Sequence, residues 1–222
     1  MQAVTQRKPY KGMSMEGRVA TWYARNTGKD KSDFRELADR LSQQTPAGSK
    51  ILEVAPGPGY LSIEFARSGH YEVTGLDISK SFVQIARENA RKESLNIDFQ
   101  LGNASAMPFK DDSFDLILCR AAFKNFSQPV EALQEMRRVL RPGGRAVIGD
   151  LRKDVSWAEI SSYTTSKNLG WVDSLITKLI LRFMLTRRAH TSKDFEQMAS
   201  TAGFANCKID IVPLGLEVVL RK

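Results

Sequence analysis

Histidine and cysteine are scarce in this 222-residue chain, at two each, and long apolar runs are absent. No uninterrupted apolar stretch approaches the ~18 residues that cross a bilayer as a helix, so no helical span is expected. The stretch from Met1 to Gly17 is polar and basic and lacks the apolar core of a secretion signal, which predicts a cytoplasmic location. Cys119 and Cys207 fall in apparent strands without metal-ligand spacing; they read as reduced core thiols, and no metal site is expected. Internal repeats, low-complexity segments and nucleic-acid-binding motifs are also missing. That last absence matters because the formal net charge is +8. The basic residues are dispersed over Arg7-Lys8-Lys11, Arg137-Arg138-Arg141, Arg152-Lys153 and Arg187-Arg188. A solvated basic surface accounts for such a pattern, an anionic acceptor or peripheral contact with a membrane would use the same charge, and nucleic acid is not an expected partner.

What is present centres on Ile51–Ala66. Ile51, Leu52 and Val54 form a brief apolar run suited to a buried strand. Gly57 and Gly59 then permit backbone angles and a close ligand approach that a Cβ would block. Leu61, Ile63, Phe65 and Ala66 open a helix whose free N–H groups point back into the turn. The whole is a polar cradle at the carboxyl end of a strand, where open α/β sheets bind nucleotides. A dinucleotide loop requires Gly-x-Gly-x-x-Gly; here Ser62 holds the third glycine position and Pro58 has removed an amide donor. Glu53 adds a carboxylate, hostile to phosphate and hospitable to an ammonium group. S-adenosylmethionine (SAM) has an ammonium, a sulfonium and an adenosine but no phosphate, so charge favours SAM over NAD. A turn without a ligand is the alternative.

Along the chain, Gly17–Thr27 reads as a short helix, and Phe34, Leu37, Ala38 and Leu41 mark a clearer one, with Asp33 and Glu36 spaced as a capping box. Further strands are predicted at Glu72–Asp77, Asn96–Gln100, Phe114–Cys119 and Arg145–Asp150. A helix capped by Ser79 and another over Glu131–Leu140 fall between them. Five strands alternating with helices imply a doubly wound, mostly parallel α/β sheet. Residues 151–190 interrupt with a helical insertion; Thr191 starts a helix that stops at Gly203. Strands near 206–212 and 215–221 follow, too closely spaced for a parallel crossover, and so form an antiparallel C-terminal hairpin.

Asp77 ends the second strand, 24 positions beyond Glu53, where a carboxylate can accept from both ribose hydroxyls. An acid capping the following helix is the competing reading. Taken together, these stretches resemble the class I SAM-dependent methyltransferases from about Lys50 to Arg221. Glu53-Val-Ala-Pro-Gly-Pro-Gly59 is similar to their first motif, with Ala55 where a glycine usually stands. Gly75-Leu-Asp-Ile-Ser79 is similar to the second, implying Asp77 on the ribose and Ile78 against the adenine. Gly102–Phe109 is similar to the third, with Asn103 replacing the usual Asp that receives the adenine amino group and the Ala104 N–H serving a ring nitrogen. The cofactor set is then Glu53, Ala55, Pro56, Gly57, Gly59, Asp77, Ile78, Asn103, Ala104 and Arg120. The resemblance implies one domain over residues 1–222 with a seven-stranded sheet, an N-terminal helical lid (1–45) and a substrate cap (151–190).

Cys119-Arg-Ala-Ala-Phe-Lys-Asn-Phe126 is similar to the corresponding loop of quinone-biosynthesis C-methyltransferases. There Lys124 would hold a substrate anion and Asn125 the cofactor carboxylate or a substrate oxygen; an exposed loop lysine is the plain alternative. Methyl transfer is an in-line displacement in which alignment supplies much of the acceleration, and a base is needed only when the nucleophile must lose a proton. Candidates are His190 and Tyr23, with Asp150 in reserve and His70 read as a helix-end residue. In the insertion, Leu175, Ile176, Leu179, Ile180, Phe183 and Met184 follow a helical stripe that reads first as ordinary packing, otherwise as an acceptor pocket or a face against lipid headgroups. Trp22 and Tyr23 would close the pocket from the other side. The expected activity is SAM-dependent methyl transfer to a small apolar or aromatic acceptor. RNA methylation, SAM binding without transfer (a cyclase or binding role) and an NAD dehydrogenase are the alternatives.

Overall fold

The Ile51–Val54 run forms β1 (Lys50–Val54) in the middle of the sheet, buried on both faces as a continuous apolar strand should be. In this computed structural model residues 10–11, 14–28, 31–167 and 170–222 are described, without the side chains of Val172 and Met184. Arg7 and Lys8 of the first basic cluster therefore lie outside the described residues, as does the side chain of Met184 in the stripe. The other strands are β2 (Glu72–Asp77), β3 (Asp98–Leu101), β4 (Phe114–Arg120), β5 (Leu140–Leu151), β6 (Asn206–Val212) and β7 (Gly215–Arg221). They make one seven-stranded sheet in the order β3-β2-β1-β4-β5-β7-β6. The first five run parallel, and β7 pairs antiparallel with both β5 and β6, as the short turn demands. The doubly wound sheet expected from the sequence is what forms.

Helices cover both faces. On one, α2 (Ser32–Ser42), α3 (Tyr60–Arg67) and α4 (Lys80–Lys92) bury Leu41, Leu61, Phe65 and Val83 against Ile51, Phe99 and Leu118. On the other, α5 (Pro129–Val139) and α8 (Ser192–Thr201) bury Leu133, Met136 and Phe195 against Ile117, Ile148 and Val218. The N-terminal helix α1 (Gly17–Thr27) lies on α4.

Local boundaries differ from the sequence reading for identifiable reasons. The predicted Asp33–Glu36 capping box does not form, because α2 begins at Ser32 and places Asp33 inside its first turn, where the carboxylate faces Arg120 at 3.8 Å. The helix predicted over Glu131–Leu140 runs instead from Pro129, whose fixed φ suits a first helical position, to Val139. Leu140 is already extended (φ −69°, ψ 138°), since Pro142 cannot continue a helix. Pairing then jumps from Phe114–Leu140 to Leu116–Arg145, so residues 141–144 bulge from the strand. The third strand begins at Asp98, two residues later than predicted.

The insertion comprises α6 (Trp157–Ser166), opened by a capping box between Ser156 and Glu159, and α7 (Trp171–Leu179). The latter runs on as a π-helical turn (Ile180–Leu185) and a 3₁₀ turn (Thr186–Arg188). Val155, Ile160, Leu181 and Leu214 make a small core beneath it. The stripe does not pack as the periodicity suggests. Leu175, Ile176, Leu179, Ile180 and Phe183 are each 41–52% exposed, because Leu181 and Leu185 supply the inward contacts. Much of the basic charge is internally paired: Arg138 with Glu135 and Asp111, Arg141 with Asp115, and Arg152 with Asp154 and Glu159.

Candidate active site

The chain leaves β1 through Ala55, Gly57 and Gly59, all with positive φ (56°, 55° and 81°). Only Gly59 is hemmed in: a Cβ there would lie 2.8 Å from Phe99 Cζ and 3.0 Å from Ala86 Cβ, so α4 and β3 can press against the loop only because that atom is missing. At Gly57 a Cβ would meet nothing, which leaves that side of the loop open.

Two carboxylates organise the loop. Asp77, at the end of β2, accepts from the Gly57 N–H (3.0 Å) and the Ser79 N–H (2.8 Å). Glu53 accepts from the Ser62 N–H (2.9 Å) and the Ser62 hydroxyl (2.5 Å) in the first turn of α3. Both acids are buried. Desolvation pushes the Glu53 carboxyl up to about 7 against the pull of the Ser62 bonds and of the Arg120 charge, and the Asp77 charge adds a smaller push upward. Asp77 is likewise pushed up to about 6 by burial, against its bonds from Ser79 and Gly57. Two desolvated carboxylates that repel one another form a site that a cation relieves. The amide donors a pyrophosphate would need, Gly57 N and Ser62 N, already point at Asp77 and Glu53.

Around this cradle Ile78 is 36% exposed. Asn103 turns its Oδ1 to the Ser105 N–H (3.0 Å), a local turn that occupies one of the two lone pairs of that oxygen. The N-terminal segment is fastened alongside. Glu16 accepts from the N–H groups of Lys80 and Ser81, both 3.0 Å, at the start of α4. The Tyr60 hydroxyl donates to the Ala24 carbonyl at 2.8 Å, and Tyr23 meets Phe82 edge-on. Sequence reasoning missed Glu16 and Tyr60, whose partners stand 64 and 36 residues away. Trp22, expected to line the pocket, is turned outward and 66% exposed.

At the carboxyl ends of β4 and β5 the expectation for Lys124 is corrected. Its side chain is neither an exposed loop lysine nor free for a substrate anion. The 3₁₀ turn Phe123–Asn125 carries it inward, where Nζ donates to Asp150 Oδ1 (2.9 Å) and to the Ala121 carbonyl (2.6 Å). Asn125 instead receives the Lys11 N–H on its backbone carbonyl. Tyr23 feels both Arg120 and Asp150, and burial pushes its hydroxyl pKa up. Arg120 lies over the Phe34 ring. His190 sits against Phe123 and Phe195, burial holds its pKa down, and its Nε2 has no partner among the described residues. His70 is exposed on the turn after α3. The structure thus gathers Glu53, the loop and Asp77, with Arg120 close enough for its charge to act on Glu53; Tyr23 feels Arg120 as well as Asp150, the partner of Lys124. A cleft of about 560 Å³ lies between α2 and the ends of β4, β5 and β7; Leu61, Arg120 and Asp150 line it, while Glu53, Gly57, Gly59 and Asp77 do not.

Residues 52–148 match a family described as a methyltransferase domain. A demethylmenaquinone methyltransferase of Deinococcus radiodurans is 39% identical over 122 residues, 54% of this chain and 50% of that protein. The ubiquinone/menaquinone biosynthesis C-methyltransferase UbiE of Roseobacter denitrificans is 30% identical over 179 residues, 77% of this chain and 72% of that one. The chain therefore spans half of the first relative and nearly three quarters of the second. Among solved structures, a SAM-dependent methyltransferase from Aquifex aeolicus superposes with a TM-score of 0.64 at 17% identity, covering 86% of this chain and 97% of that chain. The cyclase SpnF gives 0.60 at 23%, covering 79% and 59%. These last two likenesses establish the fold alone.

Proposed function

Because this chain belongs to the class I SAM-dependent methyltransferases, we propose that it methylates a small apolar aromatic acceptor, with a ring carbon of a quinol as the preferred target. The observation that carries the cofactor part of this reading is the pair of buried acids, Glu53 and Asp77, holding the very amides a dinucleotide would require. The names of the relatives support the acceptor class.

SAM supplies an electrophilic methyl group when bound. Asp77 accepts the ribose hydroxyls on the lone pairs its two amide bonds leave free, and Glu53 faces the ammonium. Ile78 covers the adenine, whose edge meets the Asn103 oxygen and the Ala104 N–H. Ala55, Pro56, Gly57 and Gly59 shape the wall that lets the ligand approach the backbone. The segment through α1 is the lid, and Arg120 is the nearby cation for the cofactor carboxylate. Tyr23, which feels the charges of Arg120 and Asp150, orients the acceptor oxygen, and His190 is the alternative proton acceptor. Lys124 acts through Asp150 as a positioning residue. The test is incubation of the protein with methyl-labelled SAM and demethylmenaquinol. One label transferred to ring carbon is the expected result; turnover of an RNA or of no acceptor in a broad metabolite pool would oppose the proposal.

A pH dependence follows from the two acids. Free protein holds part of Glu53 and Asp77 protonated below about pH 7 and about pH 6. An ammonium and two donating hydroxyls favour the ionised forms, so binding releases protons in that window and affinity rises with pH. The dissociation constant of S-adenosylhomocysteine should fall about 100-fold between roughly pH 5.5 and 8 and then level. Calorimetry in buffers of different ionisation heat measures the protons released; a flat profile with none released contradicts the assignment.

A further inference from the structure

We propose that the helix formed by α7 and its π-helical continuation docks the protein on an anionic lipid surface. Its sidedness is inverted for a helix of a folded domain. Ser174, Thr177 and Lys178 are half-buried, while Leu175, Ile176, Leu179, Ile180 and Phe183 face solvent and Trp171 is 83% exposed. A contiguous apolar face of this kind on a described surface marks an interaction site.

Charge selects the occupant. Between Trp171 and Arg188 stand Lys178, Arg182, Arg187 and Arg188 against the single acid Asp173. Arg187 lies over the Phe183 ring, beside the stripe, and Arg182, though exposed, also reaches down to the Val155 carbonyl. Apolar side chains on one face with cations along its margin match the boundary between headgroups and acyl chains of an acidic bilayer. The nine-residue α7 with its six-residue continuation is too short to cross, and no described helix is long and apolar enough to do so. It lies on the surface. The insertion leaves directly from the carboxyl end of β5, the same edge of the sheet as the cradle, so docking would present that edge to the bilayer. The inference stands on this exposed face and is independent of the proposed acceptor.

Co-sedimentation with vesicles of equimolar phosphatidylglycerol and phosphatidylcholine tests it, beside vesicles of phosphatidylcholine alone. The unmodified protein should pellet with the acidic vesicles and do so less as salt rises. The triple variant Ile176→Ser, Leu179→Ser, Phe183→Ser should lose at least about tenfold in partitioning while still melting cooperatively, since these side chains are only about half buried. Lys178→Gln with Arg187→Gln should weaken acidic-vesicle binding and flatten its salt dependence. Failure of the unmodified protein to bind acidic vesicles overturns the proposal, as does undiminished binding by the triple variant. A lipid-free dimer that the triple variant abolishes would assign the face to a second copy and overturn it too.

Discussion

Lys124→Met should destabilise the protein by about 3–5 kcal/mol, the cost of leaving a buried carboxylate without its cation. The side chains of Lys124 and Asp150 are 7% and 1% exposed, and Asp150 also accepts the Lys124 and Leu151 N–H groups. These bonds weld the 3₁₀ turn after β4 to the end of β5. In a chain of this length the loss corresponds to a thermal midpoint lower by about 10 °C. Adding Asp150→Asn should restore part of it, because a neutral amide tolerates burial that an unpaired charge does not. Lys208→Met, at an exposed pair with Asp210, should change stability by under about 1 kcal/mol. Urea midpoints of the three variants decide the matter; equal effects at Lys124 and Lys208 would show that the buried pair holds nothing together.

Asp77→Ala should raise the dissociation constant for S-adenosylhomocysteine about 100-fold. Hydrogen bonds to a charged group contribute ~1.5–3 kcal/mol each, and two ribose hydroxyls are at stake. The fold should survive, since Ser79 still caps α4 through the Phe82 N–H at 3.0 Å. This variant separates the two readings of the residue. A purely structural acid, tying Gly57 to Ser79, would lower the thermal midpoint and leave affinity as it was. A ligand-binding acid moves affinity first. Calorimetry and a melting curve on the same sample distinguish them.

The sheet, its antiparallel end and the loop after β1 were legible because their signals are local. Ile51, Leu52 and Val54 are contiguous, Gly57 and Gly59 are the only cheap way through positive φ, and Pro213–Gly215 is too short for any crossover. Asp77 was legible from its place at a strand end. Other features depend on pairings that spacing does not carry. Nothing near Lys124 in sequence announces Asp150, 26 residues on, so its Phe123-Lys124-Asn125-Phe126 setting reads as a loop lysine that holds a substrate anion or faces solvent. Glu16 caps a helix that begins 64 residues later. The stripe from Leu175 to Phe183 has the right period, but a period gives a face and not its direction. Here the smaller cluster of Leu181, Ile160 and Val155 took the inward position, and the longer stripe was left outside.

The central claim is that the loop following β1, together with Asp77, holds an adenosyl cofactor without phosphate. A crystal structure with S-adenosylhomocysteine tests it most directly. The account predicts the ribose hydroxyls on the Asp77 carboxylate and the ammonium beside Glu53. An adenosyl group lodged instead in the cleft between α2 and the ends of β4 and β5, with the Glu53 and Asp77 surroundings unchanged, would contradict it.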